Sequence, residues 1–325
     1  MLLVGPIGHK LKELLHPRME TPTFTAKSQD EVHMILEYPK GERWGPVQSS
    51  CANRVIYSHD VSNSKLVALE SFEKTLKTFR PDLIVLSGAH LLDGQPEAIW
   101  RSRLRDIAAL LDSIPHSTPV HWELATVGNL QYFYHLADTL FPRIDSLGLN
   151  EQELVSVAKA ANASFDFSKI PSKPGIETVS DILHWLIQKY GAEGRKSSRL
   201  TRVHFHSLSF HILAALKQGP WGNSRVALLA GTRAAGLQAC DVQYFTPAKF
   251  ELQIPLEFSL SQMDPVLSQT EIHFSDVDSP VVWSREGVGY FLSPVLVCKQ
   301  PLKTVGLGDA ISAFGLMHSE FRATS

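Results

Sequence analysis

Asp82-Leu83-Ile84-Val85-Leu86-Ser87-Gly88 is a short apolar run ending in a turn, and Pro119-Val120-His121-Trp122-Glu123-Leu124 is a second. A helical period over residues 98–111 lies between them. The rhythm continues, with helical period over 130–140, an extended run at 144–149, helical period over 151–160 and 178–190, and a strand pattern at 202–206. Short buried strands alternating with amphipathic helices predict an α/β fold, an open and largely parallel sheet with helices on both faces. In such a sheet, groups at the carboxyl ends of the strands converge on one crevice.

Toward the N-terminus the pattern differs. Leu2-Leu3-Val4-Gly5-Pro6-Ile7-Gly8 reads as a short buried strand and a turn, and a short helical stretch follows. Val32-His33-Met34-Ile35-Leu36-Glu37-Tyr38 and Arg54-Val55-Ile56-Tyr57-Ser58 have mixed polarity and are joined by a Gly/Pro-rich connector. They predict half-exposed antiparallel strands in a small cap. The expected organisation is the start of the large domain over 1–28, a small β lid over 29–62 and the rest of the large domain over 63–325. After residue 238 the chain is less regular, with antiparallel edge strands or hairpins expected at 250–259, 281–283 and 290–292. A last helix opens at Gly308-Asp309 and runs to about Met317.

The 325 residues are 44% hydrophobic and 20% charged, which excludes a disordered or fibrous chain. The formal net charge of -2, without a basic stripe, argues against a nucleic-acid partner. No apolar run reaches the length of a membrane span. The first residues are too short and uncharged for a signal peptide. Cys51, Cys240 and Cys298 are far apart, without CxxC spacing; this argues against a zinc site or a disulfide scaffold and fits a reducing compartment.

The chemistry concentrates at Gly306-Leu307-Gly308-Asp309. Two glycines two apart allow a tight turn and close approach of a ligand to the backbone. The helix that follows points free N–H groups at the turn, which suits a phosphate. Asp309 is placed to take a proton from an attacking hydroxyl. The same string also serves as a simple turn and helix cap, and local chemistry leaves both readings open. Glu123 closes an apolar strand, where a carboxylate needs a partner. Asn150 and Glu153 stand at a strand-to-helix junction, read either as magnesium-side groups or as a cap with ordinary first-turn acids. Arg54 could reach phosphate oxygens from the cap, or sit on the surface. His204 and His206 alternate with apolar residues; they line a nucleotide site, or at least one packs beside the sheet.

The ordered set LLVGPIGHKLKELL, HMILEYPKGERWG, ANRVIYSHD, PDLIVLSG, PVHWELA, SLGLNEQEL, SDILHWLI, LTRVHFHSLSFHILA and PVLVCKQPLKTVGLGDAISAFGL resembles the ADP-dependent sugar kinases, a family of the ribokinase-like superfamily, and within it the eukaryotic glucokinases. The resemblance implies a three-layer α/β/α domain with a small, mainly β lid. It implies transfer of a phosphoryl group from ADP, with one Mg2+, to the 6-hydroxyl of D-glucose. Asp309 would be the base. Glu123 of the HxE motif and Glu153 of the NxxE motif would be magnesium-linked acids, with Asp309 beside the metal. Gly306 and Gly308 would form the anion hole, and Arg54, Asn150, His204 and His206 would line the nucleotide. Family members carry a long portion ahead of the LLVGP stretch that supplies early strands and several sugar-binding residues. A nucleotide-binding member without full turnover, or an ATP-dependent ribokinase-like sugar kinase, are the alternatives. The resemblance further implies a monomer and, through a signal seen in vertebrate members, the endoplasmic reticulum or secretory pathway; this chain shows no such signal, which leaves the cytoplasm as the alternative.

Overall fold

The computed structural model describes residues 2–22, 29–50, 52–59, 62–274, 279–303 and 305–323. Cys51 and Thr304 lie outside them. After a first short helix, α1 (His9–Leu14), come four strands: β1 (Val32–Tyr38), β2 (Arg43–Trp44), β3 (Val47–Gln48) and β4 (Asn53–His59). β1 and β4 pair antiparallel over their full length, from Val32 opposite His59 to Tyr38 opposite Asn53. β2 and β3 form the small hairpin between them.

The next helix, α2 (Leu69–Leu76), begins just after Leu66, which takes a left-handed conformation, φ 49°. The alternating region then follows the sequence closely. Its elements are β5 (Ile84–Leu86), α3 (Glu97–Ser113), β6 (Val120–Glu123), α4 (Leu130–Leu140), β7 (Ser146–Leu149), α5 (Glu151–Ala160), α6 (Ile176–Tyr190) and β8 (Arg202–His206). β5 through β8 are parallel neighbours in chain order. β9 (Phe210–Leu216) turns back antiparallel on β8. The short β10 (Trp221–Gly222) leads into α7 (Ser224–Cys240). Three short strands follow, β11 (Phe250–Leu252), β12 (Glu257–Ser259) and β13 (Glu271–His273). The expected late hairpin is β14 (Val281–Arg285) with β15 (Val288–Pro294), and β15 joins β9 to complete a seven-stranded sheet ordered β14-β15-β9-β8-β7-β6-β5. β16 (Leu296–Cys298), α8 (Leu307–Met317) and β17 (Glu320–Phe321) close the chain.

Helices α3–α6 pack in series on one face of the sheet, and α7 and α8 pack together on the other. The arrangement is the α/β architecture with helices on both faces. β8 shows the consequence of its period of two. Val203 and Phe205 belong to the large apolar core, whereas Arg202, His204 and His206, also buried, face α7 and α8.

Two expectations are corrected, and two elements were not foreseen. LLVGPIG is not a continuous buried strand: residues 2–6 are half-buried, and isolated bridges, among them Leu2 with Glu20, stand in place of a ladder. β9 and α7 were not legible as elements, since FHILAAL is apolar without alternation and α7 is rich in Ala and Gly. Two of the cysteines do form a disulfide. Cys240 at the end of α7 and Cys298 at the end of β16 are bonded, with Cα atoms 5.5 Å apart, although 58 residues separate them. Packing of β16 along α7 brings them together. Among the described residues, no helix is long and apolar enough to cross a membrane.

Candidate active site

A cleft of about 710 Å³ opens at the carboxyl ends of β6, β7 and β8, where the topology of a parallel sheet puts it. Its floor and walls come from segments far apart in sequence. Arg54 enters from β4, Glu123 from the end of β6, Asn150 and Glu153 from the β7–α5 junction, and His206 from the end of β8. Gly306, Gly308 and Asp309 come from the start of α8.

The β7–α5 junction is built by local rules. Asn150 is extended, and its Oδ1 accepts from the N–H groups of Gln152 (2.9 Å) and Glu153 (3.0 Å). Glu153 answers: Oε2 accepts from the Asn150 N–H and Oε1 from its Nδ2, both at 2.9 Å. This is a capping box, so the cap reading is correct. It also delivers a buried carboxylate to the cleft. Burial pushes the Glu153 carboxyl up to about 7, against the lowering effect of the Asn150 N–H and of His206.

Glu123 is buried too, yet it titrates in the opposite direction. Burial opposes its charge, but the His206 and His121 imidazoles together hold it well below the usual carboxylate range. His206 Nε2 lies 2.8 Å from Glu123 Oε1, and His121 Nε2 lies 3.3 Å from Oε2. Burial pulls His206 down, but the Glu123 carboxylate more than reverses this and raises it. The Ser312 hydroxyl of α8 also donates to Glu123 Oε2. Behind this group, Arg202 Nη1 donates to Ser146 Oγ at 2.7 Å, and Ser146 Oγ lies 2.9 Å from His121 Nδ1. The ionised Glu123 carboxylate only accepts, so the neutral His121 ring presents Nε2–H to it, and Nδ1 accepts the Ser146 hydroxyl hydrogen. Gly148 leaves the carboxylate its space: a Cβ there would overlap Glu123 Oε2.

The start of α8 is one residue earlier than Gly308-Asp309. Gly306 is the N-cap, with φ +72°, a conformation that favours glycine. Among the described residues, no side-chain hydrogen bond caps this end. Asp309 is in the first turn, exposed to the cleft. An uncapped helix N-terminus beside glycines is suited to an anion.

His204 is corrected as a lining residue. It is fully buried, with its imidazole against Gly231 of α7 and Gly315 of α8, and burial holds it neutral. One strand face carries both histidines, but only His206 stands at the strand end. The sequence did not single out His121 and Ser312, which bond to Glu123, or His90, whose half-buried ring lines the cleft next to Ser87. The HxE string carried a signal for His121; nothing local marked the other two.

Among the described residues, no group of three or more His, Cys, Asp or Glu is arranged as a ready metal cage. Each oxygen of Glu123 and Glu153 already accepts a hydrogen bond, and each retains accepting capacity. Such carboxylates fit a divalent cation that keeps its waters, met through those waters.

The model of the ADP-specific phosphofructokinase/glucokinase conserved region matches residues 1–318. The chain is similar to ADP-dependent glucokinase of Bos taurus, 41% identical over 322 residues, and to probable ADP-dependent glucokinase of Caenorhabditis elegans, 37% identical over 331 residues. It covers 98% of itself in each match but spans 64% of the length of these curated relatives. In fold it is similar to a crystal structure of a hypothetical ADP-dependent phosphofructokinase from Pyrococcus horikoshii OT3, with TM-score 0.63, 15% identity, and coverage of 97% of this chain and 72% of that one. It is also similar to an ADP-dependent kinase complex with fructose-6-phosphate and ADPβS, with TM-score 0.66, 18% identity and coverage of 96% and 74%.

Proposed function

We propose, for a chain that belongs to the ADP-specific phosphofructokinase/glucokinase family, that it transfers the β-phosphoryl group of ADP to the 6-hydroxyl of D-glucose, giving glucose 6-phosphate and AMP. The observation that carries this reading is the convergence of the uncapped α8 terminus and Asp309 with Glu123 and the Asn150–Glu153 capping box in one cleft. Glucose rather than fructose 6-phosphate follows from the two relatives at 41% and 37% identity, both named as glucokinases. The phosphofructokinase neighbours, below 25% identity, support the fold alone.

Asp309 takes the hydroxyl proton as the sugar oxygen bonds to the β-phosphorus, and the bond from that phosphorus to the bridging oxygen breaks to release AMP. The N–H groups at the start of α8, opened by Gly306 and Gly308, receive the transferring phosphoryl oxygens. Arg54 contacts the phosphates from β4. Glu123, Glu153 and Asp309 would hold a hydrated Mg2+, which when bound neutralises phosphate charge. The segment carrying β1 to β4 is assigned as a lid over residues 29–62, with the large domain on either side. The Cys240–Cys298 bond supports an oxidising compartment, in keeping with the endoplasmic reticulum.

A coupled assay of glucose 6-phosphate formation tests the reading, with ADP or ATP as donor and glucose or fructose 6-phosphate as acceptor. Turnover with ADP and glucose is expected. Turnover with ATP alone overturns the donor, and turnover with fructose 6-phosphate alone overturns the acceptor. The second reading is a nucleotide-binding protein of the same family without sugar turnover. Calorimetric binding of magnesium-ADP with no heat from glucose would favour it.

A further inference from the structure

We propose that Ser312 is a positioning residue that locks the Glu123 carboxylate in register with Asp309 across the joint between α8 and the sheet. The inference rests on the reading of Glu123 as a metal-linked acid. Ser312 follows Asp309 by three residues, so both lie on one side of α8. Asp309 is exposed to the cleft, whereas Ser312 is buried beneath it, with its hydroxyl donating to Glu123 Oε2. Glu123 comes from β6, 189 residues earlier, so this bond ties two halves of the site that the backbone does not connect.

The carboxylate torsion of glutamate is intrinsically broad. His206 fixes one oxygen, at 2.8 Å. The other has a long contact to His121, 3.3 Å, and the closer one to Ser312. With one oxygen held from β8 and the other from α8, the plane of the carboxylate is set, and with it the direction of its remaining lone pairs. Gly308 brings the first turn of α8 onto the same pair: a Cβ there would lie 3.4 Å from His206 Cε1 and 3.5 Å from Glu123 Oε1. Alanine at position 312 would fill nearly the same volume without the donor, so the hydroxyl itself is what the site uses.

Manganese(II) binding to the full chain with ADP, followed by electron paramagnetic resonance, tests this apart from turnover. Ser312→Ala is expected to weaken Mn2+ about tenfold or more, the scale found when partners behind metal-site groups are removed. Ser312→Thr, which keeps the hydroxyl, should restore most of it. Ser180→Ala, a buried serine on α6 away from the cleft, should leave the affinity unchanged. A Ser312→Ala protein with an unaltered melting curve and unaltered Mn2+ affinity overturns the proposal. If Glu123→Gln loses Mn2+ while Ser312→Ala keeps it, only the role of Ser312 falls. If Glu123→Gln also binds Mn2+ normally, the metal reading falls with it.

Discussion

The small sheet of β1 and β4 and the floor of the cleft both contribute to one site, yet they are held in opposite ways. In the small sheet, apolar side chains are open on both faces: Met34 is 56% and its partner Tyr57 57% exposed on one, and Ile35 is 40% and its partner Ile56 48% exposed on the other. Its ladder is supported mainly by its own backbone bonds. On the floor, Glu123, Glu153 and Ser312 are almost fully buried, and each is bonded to a side chain from another element or to the helix cap beneath it. The floor is therefore organised before a ligand arrives, whereas Arg54 rides on an element with little packing of its own. Rigid groups suit the reacting atoms, and a loosely packed arm suits entry and release.

Measurements can sharpen or break this contrast. Phe133, fully buried on α4, should lose about 3–5 kcal/mol of stability on change to alanine, seen as a lowered denaturant midpoint. Asp309→Asn should lower kcat by ~10²-fold or more, the scale that a positioned base contributes. Gly148→Ala places a methyl group where Glu123 Oε2 sits, and activity should fall about 10- to 100-fold as the carboxylate is displaced. Arg54→Ala should raise the KM for ADP about tenfold, the loss of one charge-assisted bond, with no change in melting temperature. Leu36→Ala should shift stability by no more than ~0.5 kcal/mol. A large destabilisation there would mean that the small sheet is packed after all, and the contrast would fail.

Parts of the site were legible because their physics is local. Asn150 followed three residues later by Glu153 is a capping signature, and the cap itself carries Glu153 into the cleft. The Gly306–Asp309 turn and its helix were readable for the same reason, with the helix boundary displaced by one residue. The strands β6, β7 and β8 had clear length and flanking turns. Other parts were not readable. His204 and His206 have the same period and the same neighbours in sequence, and only the end of β8 separates a cleft residue from a buried one. Cys240 and Cys298 meet because β16 runs along α7, a fact of packing rather than spacing.

From sequence alone, then, came the α/β alternation, the convergence of strand ends on one crevice, and Glu123, Glu153 and Asp309 as candidates to line it. Short-range periodicity and capping dictate these, and they act over a few residues. The tertiary structure alone decided what holds Glu123. His206 is 83 residues away and Ser312 is 189, and no local rule links them. A buried carboxylate must be satisfied by whatever partners folding brings to it, and those partners are chosen by the sheet and α8 closing together.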